Sequence, residues 1–401
     1  MAEPYLAERL QGFGTTVFAE MSALAVATGS INLGQGFPDT PGPVEVLDVA
    51  RAAIGTPADQ YPPGPGTPEL RTAVAAHVER FRGLAYDPDS EVLVTAGATE
   101  ALTAALLALV EPGDEVVLLE PMYDSYAAAV AMAGGVVRPV PLTPPPASTD
   151  GPADGGVWTF DPADLRAAVT PRARLLLLNT PHNPTGKVLD RAELALVAEV
   201  ALEAGLLVVT DEVYEHLVFS GAEHVSLATL PGMRERTLVV GSGGKTFNTT
   251  GWKVGWICGP APLVAAVRTA KQFLTYVNAG PFQPAIAAGL GLPDAYFSGI
   301  ARDLERRRDV LVAGLRGAGL PTVSPQATYF ATVDVRGVQP DGDGLAFCRE
   351  LPARAGVVAV PTVVFYTRGH ADLGRSLVRF AFCKRMDVLE QAATQLAGLR
   401  P

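Results

Sequence analysis

Residues 174–211 read RLLLLNTPHNPTGKVLDRAELALVAEVALEAGLLVVTD. Two short apolar runs, one closed by Asn179 and the other by Asp211, flank a segment in which Leu, Val and Ala recur with helical spacing. Runs rich in Leu and Val without strict alternation suit strands buried on both faces, and a helix between two such strands makes them parallel. The same alternation continues in both directions. VLVT (92–95), EVVLLE (115–120), VVRPVPL (136–142) and TLVVGS (237–242) are further strand candidates, while TEALTAALLALV (99–110) and LVAAVRTAKQFL (263–274) have helical spacing. From about residue 90 to 260 the chain is therefore expected to form an α/β domain on a mostly parallel sheet.

After about residue 295 the pattern changes. A long helix is predicted over 296–319, followed by the apolar runs YFATVDV (329–335), VVAVPTVVFY (357–366) and SLVRFAFC (376–383) and a last amphipathic helix over 387–399. Strands with few flanking helices point to a smaller α+β domain. The first 40 or so residues are too few to stand alone and are expected to pack on one of the two domains. The expected division is a large domain over 45–294 and a small domain built from 1–44 and 295–401. TPPPASTDGPADGG (143–156), rich in Pro and Gly and without periodicity, reads as a surface loop.

The composition agrees with a globular chain of two domains: 401 residues, 48% apolar and 18% charged. A formal charge of −11 argues against a nucleic-acid partner, which calls for a basic field. The three cysteines are widely spaced and form no CxxC pair, so neither a disulfide framework nor a zinc-binding cysteine motif is indicated, and no metal is expected. The N-terminal MAEPYLAERLQGFG has acids and no apolar core of the kind signal peptides carry, and no apolar run reaches the ~18 residues of a membrane span. The expectation is a cytoplasmic protein with no membrane partner.

Chemistry-bearing residues cluster at the ends of the predicted strands, where open parallel sheets bind ligands. Only five of the 31 basic residues are lysines, and two of them, Lys245 and Lys253, stand in GSGGKTFNTTGWKVGW (241–256). Lys245 follows a strand after two glycines, a place where an amine can lose proton affinity and act as a nucleophile; a solvated loop lysine is the plainer reading. Ser242 and Lys253 are polar groups suited to a phosphate. Asp211 ends an apolar run and needs either a cationic partner or a helix to cap. Tyr214, three residues on, would face the same place. Asn179 and Asn183 sit in a loop stiffened by two prolines and a glycine, presenting two amides or bonding the backbone. TAGATEAL (95–102) offers backbone amides at Gly97, Ala98 and Thr99 as a helix N-terminus for phosphate, without a Walker or GxGxxG motif. Tyr123 is placed to stack on a flat ring or to fill the core. Arg379, inside the apolar run SLVRFAF, requires an anion, either a substrate carboxylate or an internal acid.

As a set, N-x-P-x-N-P-T-G, D-E-x-Y, S-x-x-K-x-x-x-x-x-G-W-K-x-G-W and a late R-F resemble the class I/II aminotransferases of pyridoxal-phosphate fold type I. The likeness runs from INLGQGFPD (31–39) to LVRFAFCKR (377–385). Within that family, TTVFAEMSALA, QYPPGPG, EPMYDSY and TDEVYEHLVF resemble the kynurenine and methionine aminotransferase branch, and most of all actinobacterial proteins assigned as N-succinyldiaminopimelate aminotransferases. The resemblance implies pyridoxal 5'-phosphate bound to Lys245 as a Schiff base, with Lys245 as proton shuttle. It implies Asp211 at the pyridinium, Asn183 and Tyr214 at the phenolic oxygen, and Tyr123 on the ring. Ala98, Thr99, Ser242 and Lys253 would hold the phosphate. Tyr61 would reach the neighbouring subunit's cofactor, making a homodimer with shared sites. Asn179, Arg379 and the Gly36 backbone would clamp a substrate carboxylate, with Phe18 and Tyr276 selecting the side chain. The partners would be small molecules, an amino acid and a 2-oxo acid, with N-succinyl-LL-2,6-diaminopimelate and 2-oxoglutarate as one such pair. Two departures stand out: ATE (98–100) replaces the GYG frequent in kynurenine enzymes, and Lys253 stands where aspartate aminotransferases use arginine. A cysteine-conjugate β-lyase would use the same site. A DNA-binding regulator on this fold would add an N-terminal domain for which some 30 residues are too few, and a nicotinamide dehydrogenase would need a dinucleotide fingerprint.

Overall fold

A computed structural model describes residues 5–14, 17–145 and 156–399. Most of the loop expected over 143–156 lies outside them; its described end Thr143 bridges to Thr159. The large sheet has seven strands: β1 (Val92–Thr95), β2 (Glu115–Glu120), β3 (Val136–Pro141), β4 (Ala173–Asn179), β5 (Leu207–Asp211), β6 (Thr237–Ser242) and β7 (Gly255–Cys258). Their spatial order is β1-β7-β6-β5-β4-β2-β3, and β7 alone runs antiparallel to its neighbours.

The two-faced burial read from the sequence is visible strand by strand. Val117, Leu119, Leu176, Leu178 and Val208 enter one core with Leu194, Val197 and Ala201 of the Arg191–Glu203 helix. Val116, Leu118, Leu175, Leu177 and Val209 enter the other core, with Ala101, Leu102 and Ala105 of the Gly97–Leu109 helix and Val264 and Val267 of the Ala261–Lys271 helix. On these inner strands each apolar side chain thus meets a helix on its own side, whereas the edge strand β3 is only partly buried, with Val136 exposed.

A second sheet contains β8 (Thr322–Val323), β9 (Phe330–Asp334), β10 (Val360–Pro361) and β11 (Leu377–Ala381) in the order β10-β11-β9-β8, all antiparallel. Its core takes in Met21 and Ala25 of the Val17–Thr28 helix, Leu311 and Leu315 of the Asp294–Gly317 helix, and Leu389 and Leu396 of the Met386–Leu396 helix. The N-terminal segment therefore packs against this second core, and Ile31–Asn32 pairs in parallel with Val357–Val358.

Register aligns the ends of the parallel strands. Asn179 pairs with Asp211, and Asp211 with Val240, two residues before Ser242. Asn179, Asp211 and Ser242 consequently emerge along one edge, where the second sheet covers them. β7 is the strand of the large sheet that the sequence patterning misses. Its Gly255 is required by a close approach: a Cβ there would stand 2.6 Å from the Gly97 carbonyl carbon.

Candidate active site

A cavity of about 420 Å³ opens at this edge. The large sheet contributes Gly97, Ala98, Thr99, Tyr123, Asn183, Asp211, Tyr214, Ser242, Lys245 and Lys253 to its wall, and the second core contributes Phe18, Gly36, Phe330 and Arg379.

Asp211 closes β5 at the floor and is 4% exposed. Its Oδ2 accepts a hydrogen bond from Tyr126 Oη at 2.7 Å, and its Oδ1 accepts from Val213 N at 3.3 Å. Burial pushes the carboxyl up to about 6, against the opposing pull of the Tyr126 bond. No helix begins at Asp211, so the capping alternative does not apply.

Lys245 lies in the single helical turn Gly243–Thr246 that follows β6. Its Nζ donates to Tyr329 Oη at 3.0 Å, and that hydroxyl donates to the Gly36 carbonyl at 2.7 Å. The ammonium stands 5.7 Å from both the Tyr214 and the Tyr329 ring centroids, and the two rings meet edge to face. Burial raises the Tyr214 hydroxyl well above its ordinary value, which keeps it a donor.

The phosphate-sized end lies at the start of the Gly97–Leu109 helix. Gly97 has φ +73°, and a Cβ there would lie 3.3 Å from Lys253 Nζ, so the lysine folds directly over the glycine. Lys253 itself has φ +53°. Desolvation and then the Lys245 charge lower its pKa, a penalty that an anion between the two ammonium groups would reverse. Asn278 holds this loop in place by donating to the carbonyls of Lys253 at 2.8 Å and Thr95 at 3.3 Å. Glu100 Oε2 accepts from Ala96 N at 2.6 Å.

Across the cavity, Arg379 is 2% exposed. Its Nη1 donates to Asn183 Oδ1 at 2.9 Å and its Nη2 to the Gly34 carbonyl at 3.2 Å, while Nε has no partner. The guanidinium lies 3.9, 4.7 and 5.3 Å from the ring centroids of Phe330, Phe365 and Phe18. Burial lowers its pKa to about 10. Among the described residues it forms no ion pair, so the internal-acid alternative for this residue is not realised.

Three of the expected site residues do not line this cavity. Asn179 does not line the cavity: its Nδ2 donates to the carbonyls of Asp211 (2.9 Å) and Pro181 (3.2 Å), and its Oδ1 accepts from Asn183 N at 2.8 Å. It braces the loop that aims Asn183, and its amide is consumed by backbone rather than turned to the cavity where a substrate contact was expected of it. Tyr61, expected at the neighbouring subunit's site, and Tyr276 also lie off this cavity, pairing with each other at 5.8 Å between centroids and 83% and 54% exposed. Tyr126 and Tyr329 are among the site residues that escaped the sequence reading, as are Phe330 and Phe365 against Arg379. Tyr126 sits one helical turn from Tyr123 in EPMYDSY and was legible as a second aromatic on that face. Tyr329 opens YFATVDV, and nothing in the sequence links it to Lys245.

A lysine, a buried carboxylate and a buried arginine in no direct ion pair stand around one cavity, an arrangement suited to amines and carboxylates. Residues 28–396 match the family model of aminotransferase class I and II. The chain belongs to that family and is an aminotransferase of fold type I. It is 51% identical over 397 residues to the probable N-succinyldiaminopimelate aminotransferase DapC of Mycobacterium tuberculosis (strain CDC 1551 / Oshkosh), covering 98% of each chain. It is 40% identical over 392 residues to the methionine aminotransferase of Escherichia coli (strain K12), covering 98% of this chain and 97% of that one. The solved structure of N-succinyldiaminopimelate aminotransferase from M. tuberculosis superposes with a TM-score of 0.92 at 51% identity, covering 98% of this chain and 100% of that chain.

Proposed function

We propose that the chain uses pyridoxal 5'-phosphate to move an amino group between an amino acid and a 2-oxo acid. The observation that carries this reading is Arg379, a buried guanidinium in no direct ion pair among the described residues, sharing one cavity with Lys245. The donor set suits the cofactor. Ser242, Lys253 and the amides of Ala98 and Thr99 surround a place for a phosphate, and Asp211 lies at the opposite, buried end, beside Tyr123 and Tyr214. When bound, pyridoxal phosphate supplies a carbonyl that reacts with amines and a ring that draws electrons from the α-carbon of an amino acid.

The chain's own residues then divide the work. Asp211, charged beside a ring nitrogen, holds that nitrogen's proton and so preserves the electron sink. Asn183 and Tyr214 donate to the phenolic oxygen. Tyr123 covers one face of the ring. Arg379 binds the substrate carboxylate through its guanidinium fork, with Asn183 Oδ1 and the Gly34 carbonyl fixing the plane of the fork. Lys245 would take the proton from the substrate α-carbon and deliver it to the cofactor's C4′, and Tyr329 keeps its Nζ aimed. Phe18 forms the apolar wall against which a substrate side chain rests.

The substrate pair we assign is N-succinyl-LL-2,6-diaminopimelate with 2-oxoglutarate, in lysine biosynthesis; the 51% identity to the mycobacterial relative supports it. The active form is a homodimer in which Tyr61 of each chain reaches the other's phosphate, supported by the exposure of Tyr61, Phe273 and Tyr276. We assign residues 45–294 to a large cofactor domain, and 1–44 with 295–401 to a small one, in the cytoplasm; the three cysteines are buried and unpaired, as a reducing compartment requires. A donor and acceptor screen that follows cofactor absorbance in each half-reaction tests the reading. Conversion with the succinylated donor, reversed by 2-oxoglutarate, is expected. Release of pyruvate and ammonia from cysteine conjugates without any oxo-acid requirement would instead make the chain a β-lyase.

A further inference from the structure

Away from this cavity, three ligand-type side chains converge beneath the segment that follows β5. His77 lies on the Pro68–Arg82 helix, and Glu215 and His216 directly follow Tyr214. His77 Nε2 is 2.7 Å from His216 Nε2, and Glu215 Oε1 is 4.0 Å from the first nitrogen and 3.8 Å from the second. A circle through three atoms so spaced has a radius of about 2.1 Å. One point therefore lies about 2.1 Å from all three, which is the bond length of zinc to imidazole nitrogen and carboxylate oxygen.

The surroundings orient each ligand. His77 Nδ1 lies 3.2 Å from the Leu290 carbonyl, which can only accept, so the ring proton sits on Nδ1 and Nε2 turns a lone pair toward its neighbours. Glu215 Oε2 is engaged by Arg82 Nη2 at 2.8 Å, which leaves Oε1 facing the two imidazoles. Phe81 and Phe297 pack against both histidine rings, with centroids 4.5 to 5.2 Å away. This apolar collar fixes the ring planes and lowers the local dielectric.

We infer that His77, Glu215 and His216 form a binding site for one divalent transition ion of the zinc class, with water as the fourth ligand. On binding, the two nitrogens separate from 2.7 Å to roughly 3.3 Å, the spacing of a tetrahedral set at zinc bond lengths. His216 carries its proton on Nδ1 in that state. The ion ties the Pro68–Arg82 helix to the segment bearing Tyr214 and thereby braces the cavity wall from behind.

The test uses the full-length holoenzyme, stripped with EDTA, desalted and titrated with Co²⁺. One equivalent per chain with the intense visible ligand-field bands of a tetrahedral N/O site is expected, displaced by Zn²⁺, together with a Zn²⁺-dependent rise in the unfolding midpoint. His77→Gln and His216→Gln each remove a ligand and should weaken binding by more than the roughly 10- to 100-fold that loss of an outer-shell partner costs. Wild-type protein that shows no stoichiometric Co²⁺ spectrum overturns the proposal whether or not the variants fold. Binding retained at full strength in both variants overturns it as well.

Discussion

Replacing Tyr126 by Phe probes the electrostatic core of the site without touching any group that meets substrate. The phenol donates to Asp211 Oδ2 at 2.7 Å, and the carboxyl is buried and raised to about 6 with that bond in place. A hydrogen bond to a charged group is worth about 1.5–3 kcal/mol, or roughly one to two pH units in a pKa. Its loss should move the Asp211 carboxyl from about 6 into the range of roughly 7 to 8. At pH 7 the ionised fraction then falls from about nine-tenths to somewhere between a half and a tenth. Apoenzyme affinity for pyridoxal phosphate, which needs the ionised form, should drop about 2- to 10-fold at that pH. At pH 9 Asp211 is ionised in both proteins, and the ratio of their affinities should approach one. Cofactor titration of both apoenzymes by fluorescence, at pH 6, 7, 8 and 9, reads that ratio directly. A ratio that does not change with pH, or that grows at high pH, refutes the assigned role of Tyr126 and Asp211.

Three other substitutions bear on the same site. Asp211→Asn should leave the apoprotein more stable above pH 6, by up to about 3 kcal/mol. The sign follows from a native pKa of about 6 against an ordinary 3.8: neither state is charged below 3.8, stability falls as pH rises between the two values, and the full penalty applies above 6. Denaturant melts of both apoproteins at pH 5 and 8 check this, and the variant should lose cofactor-dependent activity. Gly36→Ala would set a Cβ 2.5 Å from Phe330 Cζ and 2.7 Å from Tyr329 Cε2, so Tyr329 must move off Lys245. We expect a cost of about 1–3 kcal/mol in stability and a higher KM for amino donors, read by melts and steady-state kinetics. Arg379→Lys keeps a cation but loses the fork, and kcat/KM should fall about 10- to 100-fold, mostly through KM.

The large sheet was legible because its strands carry a simple physical mark. β1, β2 and β6 match their apolar runs residue for residue, since burial on both faces leaves no polar interruption. β7 was hidden because it starts on the last two residues of GWKVGW (251–256), where Gly255 serves the approach to Gly97 and masks the strand pattern. VVAVPTVVFY reads as one strand, yet it divides into Val357–Val358, Val360–Pro361 and a 3-10 turn over Thr362–Phe365 that brings Phe365 under Arg379. Site residues at strand ends were similarly readable, because a polar group closing an apolar run is costly without a partner; Asp211, Ser242 and Lys245 all reach the cavity. Asn179 shows the limit of that logic. Its polar side chain does have a partner, but the partner is backbone, and only coordinates distinguish that from a ligand contact. Tyr329 arrives from a strand 84 residues away, and no local pattern encodes that meeting.

The central claim is that Lys245 is the amine that meets the cofactor. Borohydride reduction of the holoenzyme, followed by digestion and mass spectrometry, tests it most directly. A pyridoxyl-phosphate mass is expected on the peptide containing Lys245, with Lys253 unmodified, and no such adduct or visible cofactor band in Lys245→Arg. An adduct on Lys253 instead, or a persistent visible band in the arginine variant, would contradict it.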